Sequence, residues 1–198
     1  MKSKFIALFS CLMLGGLNAA SISLSNFDGV NFTGVLDSQG QVLTSGVVVL
    51  GAFSVEPTSI ADIFGPNFTQ AGNSLSVGAN SFFQGNVNTG ALVAGDDFVG
   101  NVVYVVIGNG VDLGSSTDFL IWKSTNSPIS DVFVADNPVG GPDTVNVTSI
   151  AGELSVGQTT TFDFGNGTST AFQLVAIPEP STFLLGAVGV LGLLRRRR

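Results

Sequence analysis

The chain has 198 residues, a mean hydropathy of +0.48 and only 11% charged residues, which excludes a disordered chain and allows one domain of ordinary size. Six of the seven basic residues lie at the two ends, so residues 20–177 hold thirteen acidic residues against Lys123 alone. A stretch with this formal charge of −12 repels phosphate backbones, which excludes nucleic acid as a partner.

The residue types restrict the chemistry further. The sequence contains no histidine and a single cysteine, Cys11. Disulfide bonds, thiolate nucleophiles, Ser-His-Asp triads and histidine-ligated metal sites are therefore excluded within this chain. A lysine-activated serine or a pair of carboxylates remains as catalytic chemistry. Because no nucleophile motif is recognisable, we expect no enzyme activity and no cofactor, with calcium as the one ion to consider.

The first predicted element is a signal peptide over residues 1–20. Lys2 and Lys4 form a positively charged n-region, and residues 5–17 form an apolar h-region. Residues 18–20 supply the small side chains of a signal-peptide cleavage site. We therefore expect export through a secretion translocon and cleavage near the end of this segment.

Residues 21–176 predict an all-β body. Their apolar residues form short β-branched runs between clusters of Gly, Asn, Asp and Ser, which is typical of a β-sandwich, here of the jelly-roll kind. The predicted strands are residues 21–25, 47–55, 102–107, 118–123, 131–135 and 144–150. Two of them, 47–55 and 102–107, are almost continuously apolar and suit the middle of a sheet.

One short helix and one hairpin complete the predicted body. Over residues 58–64, the preceding Pro57, a polar cap at Thr58 or Ser59 and a Gly-Pro stop after Phe64 predict one or two helical turns. We expect the apolar side chains of this helix, including Phe64, to pack inward. The Asn-Gly pair at residues 166–167 predicts a type I′ turn between strands at 160–164 and 170–175.

Two groups of side chains in the body leave functional alternatives open. Trp122 and Tyr104 could form a platform that stacks on sugar rings, although the apolar run before Trp122 favours burial in the core. Paired acids in Gly/Asn-rich loops could supply oxygen ligands to calcium, although none of these loops fits a calcium-binding motif. The pairs are Asp96 with Asp97, Asp112 with Asp118, and Asp136 with Asp143.

Residues 177–198 form a C-terminal tail with three parts. Pro178, Glu179 and Pro180 precede an apolar stretch at residues 183–194, and the chain ends on Arg195, Arg196, Arg197 and Arg198. Twelve apolar residues make about 18 Å of helix, which is short of the roughly 30 Å bilayer core. The arginine side chains must therefore snorkel to the interface. This pattern predicts a C-terminal transmembrane helix whose arginines stay cytoplasmic while the body lies across the membrane.

The tail resembles the PEP-CTERM sorting signal of bacterial exported proteins, in which a Pro-Glu-Pro motif, a short transmembrane stretch and an arginine-rich end follow one another. All three parts occur here within residues 177–198, and a predicted signal peptide accompanies them. The resemblance implies recognition and cleavage by an exosortase, a membrane-embedded cysteine peptidase. It also implies a transient membrane anchor and delivery to the cell envelope or to an extracellular polysaccharide matrix.

Three functions remain open for the body. A structural or adhesive protein of the cell surface or extracellular matrix ranks first, because charge is low and Gly, Ser, Thr and Asn are abundant. A carbohydrate-binding β-sandwich, with an extracellular polysaccharide as its partner, ranks second. A glycosidase ranks third, because it would need two carboxylates facing each other across a cleft.

Overall fold

The computed structural model describes residues 20–27, 31–90, 92, 95–124, 132–133, 144–148, 152–165 and 167–177. Within them the chain forms mostly β-strands and two short 3₁₀ helices, Ile60–Phe64 and Ala79–Ser81, which confirms the all-β prediction. The strands are β1 (Ala20–Ser25), β2 (Gly34–Leu36), β3 (Gly46–Phe53), β4 (Phe68–Gln70), β5 (Leu75–Val77), β6 (Gln84–Gly90), β7 (Tyr104–Gly108), β8 (Asp118–Ser124), β9 (Thr144–Thr148), β10 (Gly152–Val156), β11 (Gln158–Asp163), β12 (Thr168–Gln173) and β13 (Val175–Ala176).

A seven-stranded antiparallel sheet forms the centre of the fold. Its main order is β10-β8-β7-β3-β4, while β5 also pairs with β3 and β13 pairs with β8. Every residue of β7 is buried, and so are nearly all residues of β3 and β8. The apolar runs that predicted central strands at 47–55 and 102–107 are therefore confirmed to within about two residues. These strands are apolar throughout because both of their faces are covered.

Two three-stranded sheets cover one face of the central sheet. One has the order β6-β1-β9 and the other β11-β12-β2, and in each the last-named pair runs parallel. The core between the layers takes alternate residues of the central strands and the inward residues of both small sheets. Its fully buried members include Leu24, Val48, Leu50, Val87, Val105, Ile107, Leu120 and Trp122.

The 3₁₀ helix Ile60–Phe64 covers part of the opposite face of the central sheet. Ile60 and Ile63 are buried there in a second apolar cluster that includes Phe119 of β8. The helix predicted over residues 58–64 is thus present, but the inward packing predicted for Phe64 is wrong. Its side chain is 54% exposed, and its ring makes an edge-to-face contact with Phe119 at 5.4 Å between ring centroids.

The hairpin predicted in the last third of the body is confirmed. β11 and β12 pair antiparallel, and the pair nearest the turn joins Asp163 to Thr168. The Asp163 carboxylate accepts the backbone N–H of Gly165 at 2.8 Å and that of Gly167 at 3.3 Å. Both glycines have positive φ, of 95° and 108°, a conformation that glycine adopts without steric cost.

Several elements of the body were not predicted, namely the strands β2, β4, β5, β6 and β10 and the 3₁₀ helix Ala79–Ser81. β6 has the sequence Gln-Gly-Asn-Val-Asn-Thr-Gly, in which Val87 is the only large apolar residue, and it pairs antiparallel with β1. The 3₁₀ helix Ala79–Ser81 contains two non-glycine residues with positive φ, Asn80 and Ser81. The body therefore has two short helices among its described residues, where the sequence predicted one.

Some predicted elements lie partly or wholly outside the described residues. Of the strand predicted at 131–135, the described Val132 and Phe133 form isolated bridges with Val102 and Val99. Of the strand predicted at 144–150, residues 144–148 form β9. In the part of the chain that the structure describes, no helix is long and apolar enough to span a bilayer. The predicted C-terminal transmembrane helix lies outside this part.

Candidate functional site

The last described residues connect the body to the C-terminal tail. β13 pairs with β8 through Val175 and Phe119, and the backbone N–H of Ile177 donates to the carbonyl of Thr117 at 2.8 Å. The chain is thus fixed to the central sheet up to Ile177. Because proline has no backbone N–H, Pro178 offers the sheet no further donor. The predicted sorting motif therefore begins directly after a residue that the fold holds in place.

An apolar groove lies beside this attachment point, and we call it the junction groove. One wall consists of Val156 of β10 with residues 175–177, and the other of Ser59 with the 3₁₀ helix Ile60–Phe64. The groove has a volume of about 560 Å³, and the half-exposed ring of Phe64 stands in its wall. Concave, mostly apolar surfaces of this size are typical of binding sites.

The residues assigned to sorting lie outside the described part of the chain. They are Pro178, Glu179, Pro180, Arg195, Arg196, Arg197 and Arg198. The same holds for the predicted signal peptide, except that Ala20 begins β1. Their roles stay predictions, and the structure contributes the position of Ile177, to which the motif is attached.

The aromatic platform considered for sugar binding is wrong. Trp122 is fully buried between the sheets, and Tyr104 is 3% exposed on the opposite face of the central sheet. Tyr104 makes an edge-to-face contact with Phe53 at 5.1 Å between ring centroids, and burial raises the pKa of its hydroxyl. The two rings are core residues of separate clusters and cannot form one exposed surface.

Several acidic side chains of the body fix their own loops. The Asp37 carboxylate accepts the backbone N–H of Gln39 at 2.9 Å and that of Gln41 at 2.8 Å. Asp112 accepts the N–H of Ser115 at 2.7 Å. Carboxylates of this kind pair backbone donors that a turn would otherwise leave free. The same arrangement occurs at Asp163 in the β11–β12 turn.

Asp118 joins two distant segments. It is the first residue of β8 and is 8% exposed. One carboxylate oxygen accepts both the hydroxyl of Ser38 at 2.7 Å and the backbone N–H of Ser38 at 3.2 Å. The loop after β2 is thereby attached to the central sheet. Asp118 therefore acts here as a structural hydrogen-bond acceptor between layers.

The acids proposed for calcium are not gathered into a site among the described residues. No group of three or more acidic or thiol side chains there is arranged to hold a metal ion. Asp112 and Asp118 are each engaged by serine donors, and Asp136 and Asp143 lie outside the described residues. Calcium binding stays a prediction.

Lys123, the only basic residue of the body, is paired with an acid. Its Nζ lies 3.2 Å from Oε1 of Glu56, and this hydrogen bond raises the pKa of Lys123. A lysine that activates a serine must lose its proton near neutral pH, which requires a lowered pKa. The observed pairing stabilises the protonated form, the opposite of what a lysine–serine nucleophile needs.

The loop acids predict a pH dependence of stability. The N–H groups of Thr58 and then Ser59 lower the pKa of Asp62, and the hydroxyl and then the N–H of Ser115 lower the pKa of Asp112. A carboxylate with a depressed pKa stabilises the folded state above its unfolded pKa, and this contribution is lost as pH falls through the folded pKa.

We therefore expect the double variant Asp62→Asn, Asp112→Asn to unfold at a lower urea concentration than wild type at about pH 7, and the difference to shrink as the pH falls towards about 2. Urea midpoints at both pH values measure this. Asp97→Asn, in an exposed loop, is the control for removal of a charge. An equal difference at both pH values would contradict the assignment.

Comparison with known proteins identifies the tail. The family model described as the PEP-CTERM protein-sorting motif matches residues 176–198, whereas no curated protein and no solved structure matches the chain. The matched region begins at Ala176, so its first two residues are paired to the central sheet and line the junction groove. The resemblance inferred from the sequence is confirmed. The chain carries a PEP-CTERM sorting signal, which exosortase recognises in the membrane, and is therefore an exported protein processed there.

Proposed function

We propose that this protein is sorted by an exosortase to the cell surface or extracellular matrix, where its β-sandwich body serves as a structural or adhesive module. The observation that carries this proposal is that the acidic side chains of the loops accept hydrogen bonds that fix the loops. The carboxylates of Asp37, Asp62, Asp112 and Asp163 accept backbone N–H groups of their own turns, and Asp118 joins a loop to the central sheet. The role that these hydrogen bonds give the carboxylates is to keep the loops rigid.

The outer strands support the same proposal. β11 and β12 present threonine, serine and glutamine side chains, among which Thr159, Thr161 and Thr170 are exposed. β6 exposes Gln84, Asn86 and Asn88. Hydroxyl and amide groups on a rigid sheet can exchange hydrogen bonds with sugar hydroxyls without bringing charge to the surface. An extracellular polysaccharide is therefore the partner that we propose for this surface.

Binding and catalysis are separated by one experiment on the processed protein isolated from the native host. We propose that it has no catalytic turnover, so a panel of α- and β-linked polysaccharides should remain uncut after prolonged incubation. Retention of the protein on one of these polysaccharides would favour the carbohydrate-binding alternative over a purely structural role.

Release of reducing sugar would contradict the absence of turnover. If that release were lost in the Asp96→Asn, Asp97→Asn variant, the glycosidase alternative would replace the present proposal. The Asp62→Asn, Asp112→Asn variant is the matched control, because it removes two acids that fix turns. Immunogold labelling of intact cells tests the location, and labelling confined to the cytoplasm would overturn it.

A further inference from the structure

We propose that the junction groove is the docking site of the chain's own C-terminal apolar segment, residues 183–194, before a membrane receives it. The proposal goes beyond sorting, because it assigns the groove an occupant and requires no exosortase. The groove opens between the 3₁₀ helix Ile60–Phe64 and residues 175–177, and its surface is almost entirely apolar. An apolar surface of this kind is stabilised when another apolar segment removes it from water.

The tail starts in the groove itself. Ile177 lines the groove and is fixed to the central sheet by its N–H. Only residues 178–182 separate Ile177 from Phe183, and five extended residues span at most about 18 Å. The apolar segment is therefore tethered within reach of both walls. A short tether gives an effective concentration in roughly the millimolar range, which a separate molecule would rarely match.

The size of the groove agrees with the first large side chains of this occupant. The groove volume of about 560 Å³ lies within the roughly 300–1,000 Å³ of pockets that enclose apolar ligands. Phe183, Leu184 and Leu185 begin the apolar segment, so large side chains come first after the tether. The exposed edge of Phe64 provides an aromatic surface for them.

Charge favours the chain's own tail as the occupant over a second copy of the body or an anionic lipid surface. Residues 20–177 carry a formal charge of −12, whereas the segment is followed by four arginines. Asp62 lies on the helix that forms one wall. Attraction between the body and Arg195–Arg198 holds the tail near the groove, while like charge opposes a second copy of the body and an anionic lipid surface.

Docking would protect the tail before export, while the body and the arginines lie on the same side of the membrane. The first large side chains of the segment, Phe183, Leu184 and Leu185, would be shielded from water until a bilayer accepts them, and Pro178, Glu179 and Pro180 would be held at the rim of the groove. Transfer of the segment to the bilayer would then release the motif from the body. Removal of the tail by processing would leave the groove open on the mature protein.

Cysteine cross-linking in the full chain tests this proposal, because Cys11 is the only native cysteine. In a Cys11→Ser background, Ala61→Cys places a thiol in the helical wall of the groove and Leu185→Cys places one in the tail. A short bismaleimide should join them within one chain. Ala176→Cys, on the opposite wall, is a second groove position in case the first variant fails to fold.

The matched control replaces the groove thiol by Thr117→Cys, an exposed position that lies beside Ile177 and does not line the groove. We expect a monomeric cross-link about tenfold more abundant at Ala61 than at Thr117, because the tether starts beside both positions and only docking distinguishes them. Vesicles of phosphatidylcholine should reduce the yield of this cross-link, because the apolar segment leaves the groove and enters their bilayer. A second variant keeps Cys11 with Ala61→Cys and native Leu185, and thereby tests the signal peptide as a competing occupant.

Three results would overturn the proposal. Equal yields at Ala61 and Thr117 would show that the tether alone brings the thiols together. Cross-linked dimers in place of monomers would assign the groove to a second copy. A cross-link to Cys11 as abundant as that to residue 185 would assign it to the signal peptide. Each result leaves exosortase sorting untouched, because no exosortase is present in the experiment.

Discussion

Replacement of Asn26 by alanine is expected to lower the free energy of unfolding by about 3–5 kcal/mol. Asn26 is fully buried, and its amide Nδ2 donates to the carbonyls of Thr33 at 3.0 Å and Ser81 at 2.7 Å. Its Oδ1 accepts the N–H of Phe83 at 2.9 Å. Alanine would leave one buried donor and two buried acceptors without these bonds, and each unsatisfied group costs about 1–3 kcal/mol.

The position of Asn26 explains why this loss should be large. It follows β1, while Thr33 precedes β2 and Ser81 ends the 3₁₀ helix Ala79–Ser81. One side chain thus holds together three segments that belong to two different sheets and their connection. Ser81 adds to this junction, because its hydroxyl accepts the N–H of Val35 at 2.9 Å.

Urea unfolding at neutral pH measures the effect of Asn26→Ala. Asn26→Asp is the informative second variant, because it keeps the acceptor for Phe83 but removes both donors and introduces a buried charge, so we expect a loss at least as large. Asn86→Ala, on an exposed position of β6, should change the free energy by less than about 0.5 kcal/mol. A loss below about 1 kcal/mol for Asn26→Ala would contradict the role assigned to this amide.

Replacement of Pro178, Glu179 and Pro180 by alanine is expected to abolish processing of the tail. The two prolines fix φ and remove two backbone donors, which disfavours a helix or a strand at the motif, so we expect an enzyme to meet it in an extended form. Glu179 places a charge between them that an enzyme can recognise. With alanine at all three positions, we expect the segment to continue the predicted apolar helix.

The triple variant should therefore accumulate in the membrane fraction with its arginines still attached. Arg195–Arg198 hold it there, because moving each cation into the bilayer centre costs about 2.5–3.5 kcal/mol. Ser181→Ala with Thr182→Ala is the matched control, since it changes neighbouring residues and leaves the motif intact, and it should be processed normally. Normal processing of the triple variant would show that the motif is only a linker.

Much of the fold could be predicted from local sequence patterns. β3 and β7 are almost continuous apolar runs, and β8 contains one at residues 119–122, because both faces of the central sheet are covered. The β11–β12 turn follows from Gly165 and Gly167, whose positive φ values suit glycine. The 3₁₀ helix Ile60–Phe64 follows from Asp62, which accepts two N–H groups at its start. These signals lie within a few residues of the structure that they determine.

The remaining features depend on residues that are distant in sequence. β6 has a turn-like composition, and it becomes a strand because it pairs with β1 while Val87 enters the core. In the sequence Asn26 resembles an ordinary loop residue. Its role depends on the carbonyl of Ser81 and the N–H of Phe83, which only the folded chain brings close to its amide. The junction groove likewise needs β10, β13 and a helix from the middle of the chain. Local periodicity carries no information about such contacts.

The central claim is that the tail is a sorting signal processed at the membrane, and the C-terminus of the mature protein tests it most directly. Mass spectrometry of the protein isolated from its native host should find a C-terminus without Arg195–Arg198. The same measurement in a strain that lacks the exosortase should find the complete tail. Intact Arg195–Arg198 on the mature surface protein of the wild-type strain would contradict the claim and leave a plain membrane anchor.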